Sequence, residues 1–166
     1  MITLDELKNV KAGDIVSLTG VIYTARDQAH KKLEELVNSD DVPSFLNNSI
    51  IYYAGPTPTK PGYVVGSIGP TTSARMDKFA YLMPKLGVIA TIGKGERSAL
   101  CIEEYKKNHT MYFLATGGCG ALISKSVTKC EEIMFKELGT ESIKRLEVKD
   151  FKVICAIDYN GNTRGE

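Results

Sequence analysis

The sequence has 166 residues, a length that favours a single domain with a hydrophobic core of its own. Hydrophobic residues make up 43% of it and charged residues 25%, which is typical of an ordinary globular protein. The formal net charge of +1 gives no reason to expect a nucleic acid or an acidic membrane as a partner, so any anion site must be local.

No apolar run reaches the roughly 18–20 residues needed to cross a bilayer, and the first ten residues lack a signal-peptide core. These features predict a cytoplasmic protein. The four cysteines, Cys101, Cys119, Cys130 and Cys155, form no Cys-x-x-Cys pair and have no neighbouring histidine at metal-site spacing. We therefore expect free thiols and no metal site in this chain. Cys119 lies in a glycine loop without a visible base, so it is not a candidate nucleophile.

The first third of the chain predicts a short amphipathic turn at 4–10, a strand at 15–23 and a helix that ends near Asn38. Thr24 and Asp27 have the spacing of a capping box, which would place Arg26 at the second helical position. His30 follows Arg26 by four residues on the same helix face, where it could line a site or orient the arginine. The neighbouring lysines favour the other interpretation, a surface or packing histidine.

A second strand is predicted at 50–54, followed by a proline-rich ordered loop at 55–62 near the working face. An apolar β-type segment at 63–68 then leads through Gly69-Pro70 into a helix with Thr71 as its N-cap.

Arg75 lies four residues after Thr71 on the same helix face, where a cation opposes the macrodipole by roughly 0.3–1 kcal/mol. A bound carboxylate or phosphate would turn this repulsion into attraction, because free amides, a hydroxyl and a guanidinium would converge on it. The other interpretation is ordinary turn chemistry, with Arg75 in solvent or paired with Asp27 or Asp77.

The rest of the chain continues the alternation of strands and helices. A strand at 86–92 is followed by Gly93-Lys94-Gly95 and by a helix at 98–108, with Leu100, Ile102 and Tyr105 as inner positions. Further strands are predicted at 111–116, 129–135, 143–148 and 151–158, with a glycine loop at 117–120 and a short helix or turn at 121–127.

This order of elements predicts an α/β domain with a mixed sheet flanked by helices. Ligands of such sheets bind beyond the carboxyl ends of the strands, and Arg26, Thr71, Arg75 and Lys94 all follow strand ends. Three cations and a hydroxyl, without a nucleotide fingerprint, favour a small dianion as the ligand.

Several motifs resemble the β subunit, or C-terminal domain, of class I fumarate hydratases, a family that also includes the L-tartrate dehydratase β subunit. The motifs are Thr-Ala-Arg-Asp-x-Ala-His at 24–30, Tyr-Tyr-Ala-Gly-Pro-Thr-Pro at 52–58, Gly-Ser-Ile-Gly-Pro-Thr-Thr-Ser-Ala-Arg-Met-Asp at 66–77 and Gly-Lys-Gly at 93–95. The resemblance covers nearly the whole chain and implies a swivelling β/β/α domain over 1–166.

The resemblance further implies half of a hydro-lyase that reversibly hydrates fumarate to (S)-malate. A separate α subunit would bind the 4Fe-4S cluster, and the two subunits would form a larger assembly such as a doubled αβ pair. Arg26, Arg75 and Lys94 would hold the dicarboxylate, with His30 and Asp27 behind them.

Thr71 would be the base in this scheme, and Thr72 could exchange roles with it. An alcohol is a poor base near neutral pH, so its alkoxide would need nearby cations and helix amides. Thr71 could instead only bind substrate. Two other functions stay open: an L-tartrate dehydratase β subunit and a non-catalytic dicarboxylate-binding module.

Overall fold

The computed structural model describes residues 2–59, 61–115 and 123–163. Within these ranges six strands form one sheet: β1 (Ile15–Thr24), β2 (Ser49–Tyr52), β3 (Val88–Gly93), β4 (Met111–Ala115), β5 (Val127–Met134) and β6 (Ile143–Ile157). The α-helices are α1 (Leu4–Leu7), α2 (Asp27–Asn38), α3 (Leu82–Leu86) and α4 (Ala99–Asn108), and 3-10 helices cover Ser44–Leu46, Ser73–Phe79 and Lys136–Glu141.

The sheet closes on itself because β6 pairs with both ends of a row of parallel strands. β1, β2, β3 and β4 are parallel neighbours in that order, and β6 runs antiparallel to both β4 and β1. Val153 shows the closure, since it pairs with Ala115 of β4 and with Val16 of β1. β5 adds to β6 as an outer antiparallel strand. The predicted mixed α/β sheet is therefore confirmed, in a barrel-like closed form.

Two hydrophobic cores lie on the two faces of this sheet. Successive residues of β2 alternate between them, as the pleat of a strand requires: Ile50 and Tyr52 belong to the inner core and Ile51 to the outer one. α2, α3 and α4 cover the outer face, to which α2 contributes Ala29 and Leu33. Because β1, β2 and β3 are parallel and each leads on to a helix, the segments that follow them all begin at the carboxyl edge of the sheet.

β6 joins two segments that the sequence predicts as separate strands. Between them Asp150 adopts a left-handed φ of 52°, and its amide donates to the Thr19 hydroxyl at 3.0 Å. The pairing with β1 shifts register between Leu18 and Gly20, on the strand that faces this position. The interruption is therefore a bulge inside one strand and not a turn between two.

The predicted strand at 63–68 is wrong, because this segment bonds to the proline-rich loop instead of to the sheet. The Thr57 amide donates to the Ser67 carbonyl at 2.9 Å, and the Ser67 amide donates to the Thr57 hydroxyl at 2.8 Å. Val65 is buried, whereas Tyr63 remains 69% exposed. The apolar pattern at 63–68 thus reflects packing against a neighbouring loop and not a strand.

In α4 the sequence identifies Tyr105 correctly as an inner residue, but Leu100 is 79% exposed and Cys101 faces the core in its place. Ile102 is half-buried. No helix in the described part of the chain is long and apolar enough to cross a membrane.

Candidate dianion-binding site

The carboxyl edge of the parallel strands brings Arg26 and Lys94 to one side of the sheet. Arg26 follows β1 and Lys94 follows β3, with the end of β2 between them. The Tyr53 amide, just beyond β2, donates to the Ile92 carbonyl of β3 at 2.8 Å, which fixes the register of these two strand ends. Side chains at this edge are the ones that a closed or open α/β sheet offers to a ligand.

Thr71 and Thr72 lie at the same edge, in an extended segment between the ends of β2 and β3. The Thr71 amide donates to the Tyr53 carbonyl at 2.7 Å, and the Ser73 amide donates to the Lys94 carbonyl at 2.9 Å. Thr72 forms a parallel bridge with Lys94. The predicted N-cap at Thr71 is wrong: the 3-10 helix starts at Ser73, and Thr72 precedes it without a capping bond from its side chain.

The predicted capping box at Thr24 is also wrong. Thr24 is the last residue of β1, and its buried hydroxyl accepts the Lys144 amide at 3.1 Å and lies 3.4 Å from the Ser142 carbonyl. Because β6 uses this hydroxyl, α2 begins only at Asp27, with Arg26 as an N-cap residue in extended conformation. Arg26 therefore lies just before the first turn of α2 and not within the helix.

The Arg26 guanidinium packs over Gly55, where a Cβ atom would come within 3.1 Å of Nη1. Its Nε is buried and has no hydrogen-bond partner among the described residues. Within those residues it also has no ion pair with a carboxylate. An unpartnered buried donor on a cation is costly unless a ligand or water satisfies it.

Arg75 pairs with Asp27, which is one of the partners that the sequence leaves open. The distance from Nη2 to Oδ2 is 3.0 Å, and the arginine side chain stays 54% exposed. The other carboxylate oxygen of Asp27 is buried and lacks a partner among the described residues. Lys94 is exposed and forms no ion pair within the described ranges. Three cations against one carboxylate leave a net charge of +2 on Arg26, Asp27, Arg75 and Lys94.

His30 is fully buried, so it is a packing residue and not a surface one. Its Nδ1 donates to the Arg26 carbonyl at 2.7 Å, while the rings of Tyr53 and Phe79 flank the imidazole. Burial lowers the pKa of His30 to about 4, although the hydrogen bond to Arg26 acts in the opposite direction. A neutral histidine is thus bonded to the backbone of Arg26, one of the candidate site residues.

Sequence reasoning missed Arg97, the most enclosed cation of this region. Its side chain is 1% exposed, and its Nε donates to Asp77 Oδ1 at 2.6 Å. The guanidinium carbon lies 5.3, 5.0 and 4.8 Å from the ring centres of Tyr53, Tyr105 and Tyr112. No local pattern marks Arg97, because its surroundings come from β2, α4 and β4.

A cavity of about 520 Å³ is lined by residues 62–67, Thr57 and Lys125 among others, and it includes none of the four candidate ligands. The described residues contain no group of three or more His, Cys, Asp and Glu side chains that could hold a metal ion. Cys101 and Cys155 are buried and Cys130 lies on β5, so the described thiols do not converge on a cluster site. Cys119 and the glycine loop lie outside the described residues.

Fold and site together define an α/β protein with a cationic edge suited to a small dianion, and comparison with known proteins gives its family. The chain belongs to the Fumarase C-terminus family, whose model matches residues 1–164. This membership confirms the resemblance seen in the motifs.

This chain aligns with most of the length of two tartrate dehydratase subunits. The putative L(+)-tartrate dehydratase subunit beta of Methanocaldococcus jannaschii is 42% identical over 98% of this chain and 87% of that protein. The L(+)-tartrate dehydratase subunit beta of Escherichia coli is 36% identical over 97% and 82%. The anaerobic class I fumarate hydratase of Escherichia coli is 36% identical over 96% of this chain, which spans only 30% of that enzyme.

Proposed function

We propose that this chain is the β subunit of a hydro-lyase that reversibly hydrates fumarate to (S)-malate, with 1–166 acting as one swivelling domain. The relatives named fumarate hydratase and tartrate dehydratase are hydro-lyases, which supports the reaction class. The observation that carries the proposal is the net charge of +2 on four side chains at one sheet edge, which matches the charge of a dicarboxylate.

In this proposal Arg26 and Lys94 bind the substrate carboxylates, since neither has a carboxylate partner among the described residues. Arg75 contributes its exposed donors beside them. As a proton leaves the carbon next to a carboxylate, negative charge moves onto the carboxylate oxygens. Fixed cations at those oxygens stabilise this charge most strongly in the transition state.

Thr71 is the proposed base. Its hydroxyl has no hydrogen bond to another described residue, so it is free to face substrate. The 3-10 helix begins only at Ser73, and Thr71 therefore depends on the neighbouring cations, not on helix amides, to lower the pKa of its hydroxyl. Thr72 is the alternative, because its backbone pairs directly with Lys94.

We propose that a separate α subunit binds the 4Fe-4S cluster. The described residues of this chain contain no group of side chains that fits a cluster. The relation in length supports a divided enzyme: the chain covers 87% of a tartrate dehydratase subunit beta but 30% of a fumarate hydratase. We further propose that the two subunits form a larger assembly, such as a doubled αβ pair.

L-tartrate is the second candidate substrate. Two relatives of similar length are tartrate dehydratase subunits, with identities of 42% and 36%, against 36% for the anaerobic fumarate hydratase of Escherichia coli. Both substrates are four-carbon dianions, so the cationic edge serves either one.

The test is an anaerobic assay of this chain, its candidate partner subunit and the reconstituted mixture, with fumarate and with L-tartrate. We expect activity from the mixture alone. Replacing Thr71 with Val should lower kcat by about 10²–10⁴-fold, the usual contribution of a general base, while Thr71→Ser keeps a hydroxyl and retains more of the rate. Lys94→Ala, which removes a proposed carboxylate ligand, should raise KM, and Lys78→Ala, which removes a lysine outside the site, is its matched control.

A mixture that carries an intact cluster and yet processes neither substrate would refute the enzyme and favour the binding module. Activity on tartrate alone would replace the substrate but keep the proposed site. Full activity of the Thr71→Val variant would refute Thr71 as the base and would assign that role to Thr72 or to the partner subunit.

A further inference from the structure

Asp77 and Arg97 join the two segments that carry the candidate cations. Asp77 follows Arg75 in the 3-10 helix Ser73–Phe79, and Arg97 follows Lys94 in the loop after β3. Both oxygens of the Asp77 carboxylate are used: Oδ1 accepts from Arg97 Nε at 2.6 Å, and Oδ2 accepts from the Ser98 amide at 2.8 Å. One carboxylate therefore ties the helix of Arg75 to the loop of Lys94 by two bonds.

Arg97 extends this link to the end of β2. Its Nη2 lies 3.3 Å from the Tyr53 hydroxyl, and its Nη1 lies 3.2 Å from the Tyr105 hydroxyl. The carbonyl of the same Tyr53 accepts the Thr71 amide at 2.7 Å. The guanidinium thus touches the residues that position Thr71 as well as the segment of Arg75.

Tyr112 holds the loop from the other side. Its hydroxyl lies 2.7 Å from both the Ser73 hydroxyl and the Gly95 carbonyl. Ser73 also packs on Gly93, where a Cβ atom would come within 2.0 Å of its hydroxyl oxygen. The loop and the 3-10 helix are therefore in contact at Ser73 as well as at Asp77.

Buried ion pairs are in general a weak source of stability, because both charges lose hydration, and the side chains of Arg97 and Asp77 are only 1% and 15% exposed. Replacing a buried ion pair with apolar side chains is often neutral for stability, whereas removing one partner is costly. Burial by itself would raise the pKa of Asp77, but its bonds to Arg97 and Ser98 outweigh this and hold the pKa below its usual value. A charged carboxylate that accepts two hydrogen bonds, one of them from a planar guanidinium, restricts the relative position of the two segments more than apolar packing does.

We propose that Asp77 and Arg97 are positioning residues that fix the position of Arg75 relative to Lys94, and so the geometry in which the candidate cations hold a diacid. This inference rests on the proposed function. Neither residue contacts substrate, and each acts through the segment that carries a ligand.

The test uses the reconstituted complex with its partner subunit and the variants Asp77→Asn and Arg97→Lys. Asp77→Asn keeps the shape of the side chain but removes the charge. Arg97→Lys keeps the charge but removes the planar fork. Asp5→Asn, which breaks the exposed pair of Asp5 with Lys8, is the matched control. Steady-state kinetics and thermal unfolding are measured on each.

We expect KM for the dicarboxylate to rise by at least about tenfold in both variants at temperatures where they are fully folded, since a misplacement of about 1 Å can cost about 10²-fold. Arg97→Lys should raise KM even though it keeps the positive charge, because the planar fork and not the charge sets the geometry. A purely structural pair would instead lower the unfolding temperature, reduce activity with the folded fraction and leave KM unchanged, which would overturn the proposal.

Hydrogen exchange of the Ser73 amide, which donates to the Lys94 carbonyl, separates this inference from the proposed function. It should accelerate at least about tenfold in Asp77→Asn, while the Cys155 amide, bonded to Asp14 on the far side, keeps its rate. Unchanged exchange at Ser73 refutes the link itself. A wild-type complex without activity refutes the proposed function. The inference about substrate geometry is then refuted as well, whatever the exchange rates show.

Discussion

Acid should weaken this protein through the burial of His30. In the fold the pKa of His30 is lowered from 6.5 to about 4, first by burial and then by the nearby Arg97, against the opposing effects of the Arg26 carbonyl and Asp27. The unfolded chain therefore takes up the proton first as the pH falls. Stability from neutral His30 is fully present above about pH 6.5 and is lost progressively towards about pH 4.

The size of this effect follows from the pKa difference. A lowering from 6.5 to about 4 corresponds to about 3 kcal/mol between the two limits, as an order of magnitude. That is a large part of the ~5–15 kcal/mol by which domains are usually stable. The loss should be seen as a fall in the free energy of unfolding, measured by urea titration at several pH values from about 7 to about 4.

His30→Asn isolates the contribution, because an amide nitrogen near the Nδ1 position can still donate to the Arg26 carbonyl. Carboxylates titrate over the same pH range in both proteins, so only the difference between the two curves counts. Wild type should lose about 3 kcal/mol more than His30→Asn on acidification. His109→Asn, which changes the chain's other histidine at an exposed position, should retain the wild-type loss. Parallel curves for wild type and His30→Asn would refute the reasoning.

Three further substitutions test the packing around the site and in α4 by urea unfolding. Gly93→Ala should destabilise the fold by about 1–3 kcal/mol, because its Cβ would lie 2.0 Å from the Ser73 hydroxyl oxygen. This loss should be smaller in a Ser73→Ala background, and equal losses in the two backgrounds would contradict the prediction. Thr24→Val should cost about 1–3 kcal/mol by leaving the Lys144 amide without its acceptor, and a neutral result would mean that water replaces it. Leu100→Glu should change stability by less than about 0.5 kcal/mol, since the side chain is 79% exposed, and a larger loss would restore the predicted inner position.

The elements that the sequence predicts well are those with local causes. The alternation of β1, the apolar run of β3 and the amphipathic α2 each follow from periodicity, and they suffice to place Arg26 and Lys94 at one sheet edge. The helix starts fail for a physical reason: the Thr24 hydroxyl has its partners on β6, more than a hundred residues later in the chain. A capping pattern describes what a hydroxyl can do locally and carries no information about a distant competitor.

Arg97 shows the same limit for the site. Its neighbours in sequence are polar and exposed, and only the assembled sheet and α4 bring Tyr53, Tyr105 and Tyr112 around it. The sequence does suggest Asp77 as a possible partner of Arg75, but the carboxylate turns towards Arg97 instead. Charged residues at i and i+2 point in different directions in a helical turn, which favours the partner from another element.

The pair of Arg75 with Asp27 bears on whether the cationic edge is a binding site or a set of ordinary ion pairs. The arginine side chain is 54% exposed, and ion pairs of this kind contribute only about 0–1 kcal/mol. An incoming carboxylate can therefore replace or share the Asp27 contact at little cost. Until then Asp27 holds the guanidinium at the mouth of the site, which lowers the entropy lost on binding. Under the proposed function, the ordinary ion pair and the substrate contact are two states of one arginine, and Arg26 and Lys94, which pair with no carboxylate among the described residues, supply the charge that distinguishes a binding site from a set of ordinary ion pairs.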